Sequence, residues 1–493
     1  MQDRQLATWM LEQEARALLA RLNRVKPFAL QETMLPAAAL LPAAQTGIEQ
    51  YLLRGRHELR ERIHRYIQWL RGPGATSSPA EIQRRFTLLR LQFNLALSQL
   101  DLFSDAITQR SENETGVWLS GLDIAAQDAL ALPGGYYDPL PIVCYLHRGM
   151  GGAIRRARTR LPGGGANPVA IIRVPRERMI GYGIASSLVH EVGHQAAALL
   201  GLVESLRPVL QQRRLAQDGS ARQAWQMWER WISEIVADYW SVARVGISST
   251  LGLVGLVSLP RAFIFRFNAG DPHPFAWIRV KLSCAFGNAL YPSPQWQQLA
   301  AVWESFYPTV GLRPEVLAAV AGLQRSMPEF VQTVMDHRPP SLRGQTLGRV
   351  VRMPGRTPER LMAHYRQWAT DPGALRSARP TLAFAVLGQA RASGLITPEK
   401  EDRLLGDLIT YWALQSTLDA NARMARLPAA PIIRPPRVPW PGAPDMPAGS
   451  WPAGTARDRA GRVPATSPAG RRARPPVMPI RPRARGTRTR ISA

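Results

Sequence analysis

Apolar residues recur at three- and four-residue steps through the first part of the chain. In IEQYLLRGRHELRERIHRYIQWL (48–70), Tyr51, Leu52, Leu59, Ile63, Tyr66, Ile67 and Leu70 share one helical face. EIQRRFTLLRLQFNLALSQLDLFSDAI (81–107) continues the pattern, and LPAAALLPAAQTG (35–47) reads as a Pro/Ala connector ahead of this pair. Residues 1–130 are therefore expected to form a helical N-terminal region. His57 and His64 lie in it without partner spacing and read as solvated or structural.

Near residue 131 the texture changes. GGYYDPLPIVCYLHRG and NPVAIIRVPRERM are short runs with Val, Ile and Tyr bounded by Gly, Pro and Asn, so they read as strands. LPGGGANP (161–168) is expected to be a turn, since it lacks the Lys-Ser/Thr pair of a phosphate loop. Helices are expected over 183–203, 221–245 and 247–259, and from near Pro274. After 312 the pattern is helical again, as in TPERLMAHYRQWAT (357–370) and PEKEDRLLGDLITYWALQSTL (398–418). The class expected is α+β, mainly helical, with a central unit over 131–311 and a helical C-terminal region over 312–425. From 426 to 493, fifteen prolines and fourteen arginines leave too little apolar surface to offset ordering entropy, and a disordered tail is expected.

Two stretches need separate weighing. VGISSTLGLVGLVSLP, between Arg244 and Arg261, has 16 residues, short of the ~20 that cross a bilayer, so a buried helix is expected, with membrane association the minority alternative. Trp225, Trp228 and Trp231 fall at i, i+3 and i+6, a stripe that belongs to a core.

The net charge of +26 changes this picture little. Only three of the 62 basic residues are lysines, and +12 of the charge lies in the tail. The charge marks a basic tail that could contact nucleic acid or an acidic partner. Two cysteines, Cys144 and Cys284, give no disulfide framework, and Glu12 and Glu14 interrupt what would be a signal peptide's apolar run. A cytoplasmic location is expected.

Chemistry concentrates in ASSLVHEVGHQAAALL (185–200), where His190, Glu191 and His194 are the only ionisable groups. Positions i and i+4 of a helix lie on one face, so His190 and His194 can reach one Zn²⁺ at ~2.0–2.1 Å. Glu191, rotated by ~100°, flanks the metal's open side, where a base for the attacking water must stand. Two histidines and a glutamate buried without a metal or a hydrogen-bond network would be costly. The third ligand is sought in AWQMWERWISEIVADYW (224–240), where Glu234 and Asp238 are four apart among Ile235, Val236 and Ala237. Glu234 would ligate and Asp238 would bond a histidine's free ring nitrogen.

HEVGH followed by EIVAD resembles the gluzincin zinc metallopeptidases, whose pattern is HExxH plus a later ExxxD or ExxAD helix. The resemblance covers residues 167–285. It implies a zincin-like domain, one zinc per chain held by His190, His194 and Glu234, Glu191 as general base, and Asp238 orienting a ligand histidine. The 40-residue step from His194 to Glu234 is longer than in thermolysin-like enzymes, so no subfamily follows. The metzincin continuation is absent, with Ala197 and Leu200 at its Gly and His positions.

In NAGDPHPFAWIRVKL (268–282), likeness to gluzincin families gives His273 the stabilisation of an oxyanion, worth ~3–4 kcal/mol. Arg279 would anchor substrate or hold Asp238 or Glu234. A capping histidine and a structural arginine are the alternatives, and Tyr182 and Tyr239 are weaker donors. NPVAIIRVP is either the edge on which a peptide substrate pairs or a covered strand. The function expected is zinc-dependent peptide hydrolysis, by a metalloendopeptidase. The alternative is an interaction protein with a vestigial zinc site and a tail that binds nucleic acid or an acidic partner.

Overall fold

The computed structural model describes residues 2–24, 34–138, 140–147, 151–160, 165–179, 181–268 and 270–426. The turn expected over 161–168 falls partly outside these residues, and the tail expected over 426–493 lies outside them beyond Arg426. The architecture is mainly helical with one small sheet.

Three helices, Gln2–Arg24, Pro42–Arg71 and Pro79–Thr108, bury the stripe read from the sequence. Leu18, Leu22, Leu59, Ile63, Ile82 and Phe86 close a core between them. The expected connector is shorter than 35–47 because Pro42, whose fixed φ suits a first helical turn, starts the second helix early. Ser78 caps the third helix by accepting from the Glu81 amide at 3.3 Å.

The sheet has the order β1-β3-β2, with β1 at Ile142–His147, β2 at Ala153–Arg155 and β3 at Ala170–Pro175. β1 runs parallel to β3, with Ile142 opposite Ala170. β2 runs antiparallel to β3, with Ile154 opposite Ile172. The two-residue alternation divides the side chains. Cys144 and Ile172 face the main core, while Val143 and Ile171 meet Ile48, Leu52 and Phe103 of the N-terminal helices. NPVAIIRVP therefore contributes the central strand. The edge expectation is corrected: β3 is hydrogen-bonded to β1 on one side and β2 on the other, and its mostly apolar residues are covered on both faces. The edge beside the candidate site is β2, which is too short to show a period.

Beyond the sheet lie the histidine helix, Gly181–Leu200, and the glutamate helix, Gly219–Val245. The first ends earlier than expected, at Gly201, where φ is 60° and a second helix, Leu202–Leu215, begins. The glutamate helix buries Trp225, Trp228 and Trp231, and Trp228 stacks on Phe330 at 4.6 Å between ring centroids. The 16-residue apolar run holds the helix Ile247–Val257, and among the described residues no helix is long and apolar enough to cross a membrane. Both cysteines are free and buried.

Candidate metal centre

Two motifs meet because each carries a small residue where the helices touch. A Cβ on Gly193, the fourth residue of HEVGH, would stand 2.8 Å from Cα and O of Ala237, the fourth residue of EIVAD. Only glycine lets the histidine helix back this closely onto the glutamate helix. The approach sets the two ligand-bearing faces opposite each other.

His190, His194 and Glu234 come together so that one ligand atom from each lies within 4.8 Å of the others. Glu234 Oε2 is 3.3 Å from His190 Nε2 and 3.4 Å from His194 Nε2. The two rings stand nearly perpendicular, at 87°, with centroids 4.9 Å apart. Although nitrogens surround it, Glu234 Oε2 is buried and makes no well-aligned hydrogen bond. A buried carboxylate oxygen in that condition is costly. Two neutral imidazole nitrogens and one carboxylate oxygen are also the donor set of a divalent cation such as zinc. The residues present fit a metal.

Behind the ligands runs a second set of contacts. His190 Nδ1 is 2.7 Å from Asp238 Oδ1. Arg279 donates to both Asp238 oxygens, from Nε at 2.6 Å and from Nη2 at 2.9 Å. Asp238 thus fixes the ring of His190 and leaves Nε2 directed at Glu234, the usual job of a carboxylate behind a ligand histidine. Of the sequence alternatives for Arg279, the structure places it on Asp238, buried on the helix Ala276–Leu290.

The charges are strongly coupled. Burial weakens the hold of His190 on a second proton, but the Asp238 carboxylate more than offsets this and pushes it up to about 9. Burial resists ionisation of Glu234, and the surrounding imidazoles overcome it, holding the carboxyl well below its usual range. Asp238 is held low in the same way, with Arg279 and His190 outweighing burial. A cation entering this cluster would displace the proton that His190 holds.

Glu191 is 8% exposed and points to the other side, toward the sheet. A Cβ on Gly152, next to β2, would stand 2.6 Å from Glu191 Oε1. Among the described residues no side chain or amide hydrogen-bonds this carboxylate, which lines an open cleft of about 510 Å³ together with His190 and His273.

His273 sits in the loop before the helix Ala276–Leu290, at the mouth of the cleft. Asp271 Oδ1 accepts from its backbone N–H at 3.0 Å and lies 2.8 Å from its Nδ1. Its Nε2 is 3.1 Å from Glu234 Oε2. The capping alternative is corrected, because Phe275 holds the N-cap position of that helix with no side-chain cap bond; the His273 ring is tied down by Asp271 in its own loop and presents Nε2 to the cluster. Tyr182 and Tyr239 are corrected as donors. The Tyr182 hydroxyl donates to Gly388 O at 3.2 Å, and the Tyr239 hydroxyl meets Met335 Sδ at 3.2 Å, each drawn away by partners in the C-terminal region.

Sequence reasoning missed β2, the Asp271 hold on His273, and Arg178, which lines the cleft from the turn Arg176–Arg178 and donates to Ser187, one helical turn before Glu191. Asp271 was visible two residues before His273; a lone arginine ahead of the histidine helix carries no spacing signal. No protein-family model, no curated protein and no solved structure matches the chain.

Proposed function

We propose that the protein is a zinc-dependent peptidase with a zincin-like central unit. The observation that carries this reading is the buried Glu234 oxygen, which lacks an aligned hydrogen bond and faces two imidazole nitrogens one helical turn apart. His190 and His194 through Nε2, with Glu234 through Oε2, would hold one zinc per chain. When bound, zinc supplies Lewis acidity that polarises a carbonyl and makes water a better nucleophile at neutral pH.

The remaining chemistry belongs to the chain. Glu191, free of protein partners and facing the cleft, takes the proton of the attacking water and passes it to the leaving amine. His273 presents Nε2 at the mouth, where it can donate to the carbonyl oxygen as negative charge develops. Asp238, clamped by Arg279, keeps His190 in one orientation throughout. β2, an antiparallel edge strand whose approach runs past Glu191, offers backbone groups to an extended peptide. A small sheet edge beside a metal-binding helix supports the zincin-like assignment.

The test separates metal from chemistry. Glu191→Gln should lower kcat on a peptide mixture by at least about 10³-fold while zinc content stays near one per chain. Chelation should abolish turnover of the wild type, and added zinc should restore it. Full activity in Glu191→Gln would refute the mechanism.

A further inference from the structure

One part of the cleft has no role in the reading above. Arg178 ends the turn Arg176–Arg178, and its side chain is 15% exposed. Its Nη1 donates to Ser187 Oγ at 3.2 Å. Among the described residues its one ion-pair partner is Glu177, 3.7 Å from Nε and largely in solvent. Burial weakens the guanidinium's hold on its proton; the Glu177 and Glu191 carboxylates oppose that and nearby Arg279 adds to it. Arg279 has its charge answered by two contacts to Asp238, whereas among the described residues no carboxylate makes such a paired contact with Arg178.

Beside Arg178 rises an apolar wall. A Cβ on Gly252 would stand 2.3 Å from Tyr182 O and 2.4 Å from Ser186 Cβ, so the helix Ile247–Val257 crosses the histidine helix at its N-terminal end. That crossing brings Leu253, Leu256 and Val257 to the cleft, with Leu259 and Phe263 beyond them. A half-buried guanidinium and aliphatic side chains therefore bound one end of the cleft. Ser187 precedes Glu191 by four residues, so this end is about one helical turn, ~5.4 Å, from the base.

Which half of a substrate reaches this end follows from the proton path. The base that protonates the leaving amine stands beside the leaving half, so the space beyond Glu191 receives the C-terminal fragment. We propose that Arg178 binds the terminal carboxylate of a peptide whose last side chain is apolar and rests on Leu253, Leu256 and Val257. The guanidinium fork matches a carboxylate with two parallel hydrogen bonds. An extended residue spans ~3.3–3.6 Å, so a turn of helix leaves room for a fragment of about one or two residues. The bond broken is the C–N bond before that fragment. Water gives its oxygen to the acyl carbon and a proton to the amine. The protein would then trim C-termini.

This assignment rests on the hydrolase reading of the same site, and the experiment keeps the two apart. The zinc-loaded full chain is given a peptide ending in leucine, the same peptide as its C-terminal amide, and an amidated peptide ending in aspartate. The free acid should be cleaved about 10- to 100-fold better in kcat/KM than the leucine amide. The aspartate amide should be no better than the leucine amide; preference for it would assign the carboxylate to a side chain and overturn the C-terminal claim. Equal cleavage of acid and leucine amide would overturn the proposal outright. In Arg178→Gln, and in Arg178→Lys should the first fail to fold, the ratio of acid to amide should fall toward one. A ratio unchanged in a folded variant would remove Arg178 from the site.

Binding gives the independent reading. In Glu191→Gln, calorimetry should show N-acetyl-leucine binding more tightly than its amide, and the added Arg178→Lys change should erase the difference. Discrimination in binding with no peptide cleaved by the wild type would sink the hydrolase reading and keep Arg178 as a carboxylate site. Cleavage without discrimination would do the reverse.

Discussion

Two buried carboxylates, Asp123 and Glu234, differ in whether the chain itself supplies aligned partners. Asp123 Oδ1 accepts from the Cys144 amide at 2.7 Å and from Arg110 Nη2 at 3.1 Å, while Oδ2 lies 3.0 Å from the same Nη2. Arg110 also donates to Cys144 O at 2.7 Å, tying the helix Asn113–Leu130 to β1. Glu234 is somewhat more exposed as a residue, but its Oε2 is buried and meets only imidazole nitrogens with no aligned donor. The first carboxylate is answered by the fold itself. The second is arranged for something the chain does not supply.

Exchanging the two roles by mutation gives the largest effect. Asp123→Ala strands a fully buried guanidinium and should cost about 3–5 kcal/mol in denaturant unfolding with zinc stoichiometry unchanged. Glu234→Ala should do the opposite, abolishing stoichiometric zinc in equilibrium dialysis while leaving the metal-free chain at least as stable. If Asp123→Ala lost zinc while remaining folded, or Glu234→Ala kept it, the contrast would collapse. A smaller effect is expected one layer back. Asp238→Asn keeps the volume but weakens the hold on His190, and should lower zinc affinity about 10- to 100-fold in a chelator competition. Smallest of all, Arg213→Ala breaks an exposed ion pair with Glu329 and should change stability by at most about 1 kcal/mol, with no change in zinc. A large loss there would mean that solvent exposure is a poor guide to which charges matter in this chain.

The His190, His194 and Glu234 cluster, which could hold a metal ion, was legible because helical spacing is short-range and rigid. HEVGH and EIVAD each place two groups one turn apart, and the small residues Gly193 and Ala237 let the two helices meet. Tryptophan spacing likewise foretold a core stripe, and all three indoles are buried. What could not be read depends on contacts between distant segments. β2 has three residues, too few for alternation to show, and its place at the edge follows only from pairing with β3. NPVAIIRVP carries its own evidence of burial on two faces, but covering layers are a tertiary fact. Arg178 has no spacing relation to His190 or Glu191 on a common helix, and only the chain's turn at Arg176–Arg178 aims it into the cleft.

The glutamate helix has one further consequence, which concerns time. Glu234 and Asp238 share a rod with Trp225, Trp228 and Trp231, whose indoles are 1%, 0% and 4% exposed. Backbone amides around Glu234 should therefore exchange with solvent deuterium only through opening of the whole core. His273 lies in a loop, 43% exposed, with Asp271 accepting from its amide. Hydrogen exchange should thus resolve a slow clock for the helix that carries Glu234 and a faster one for the loop that carries His273.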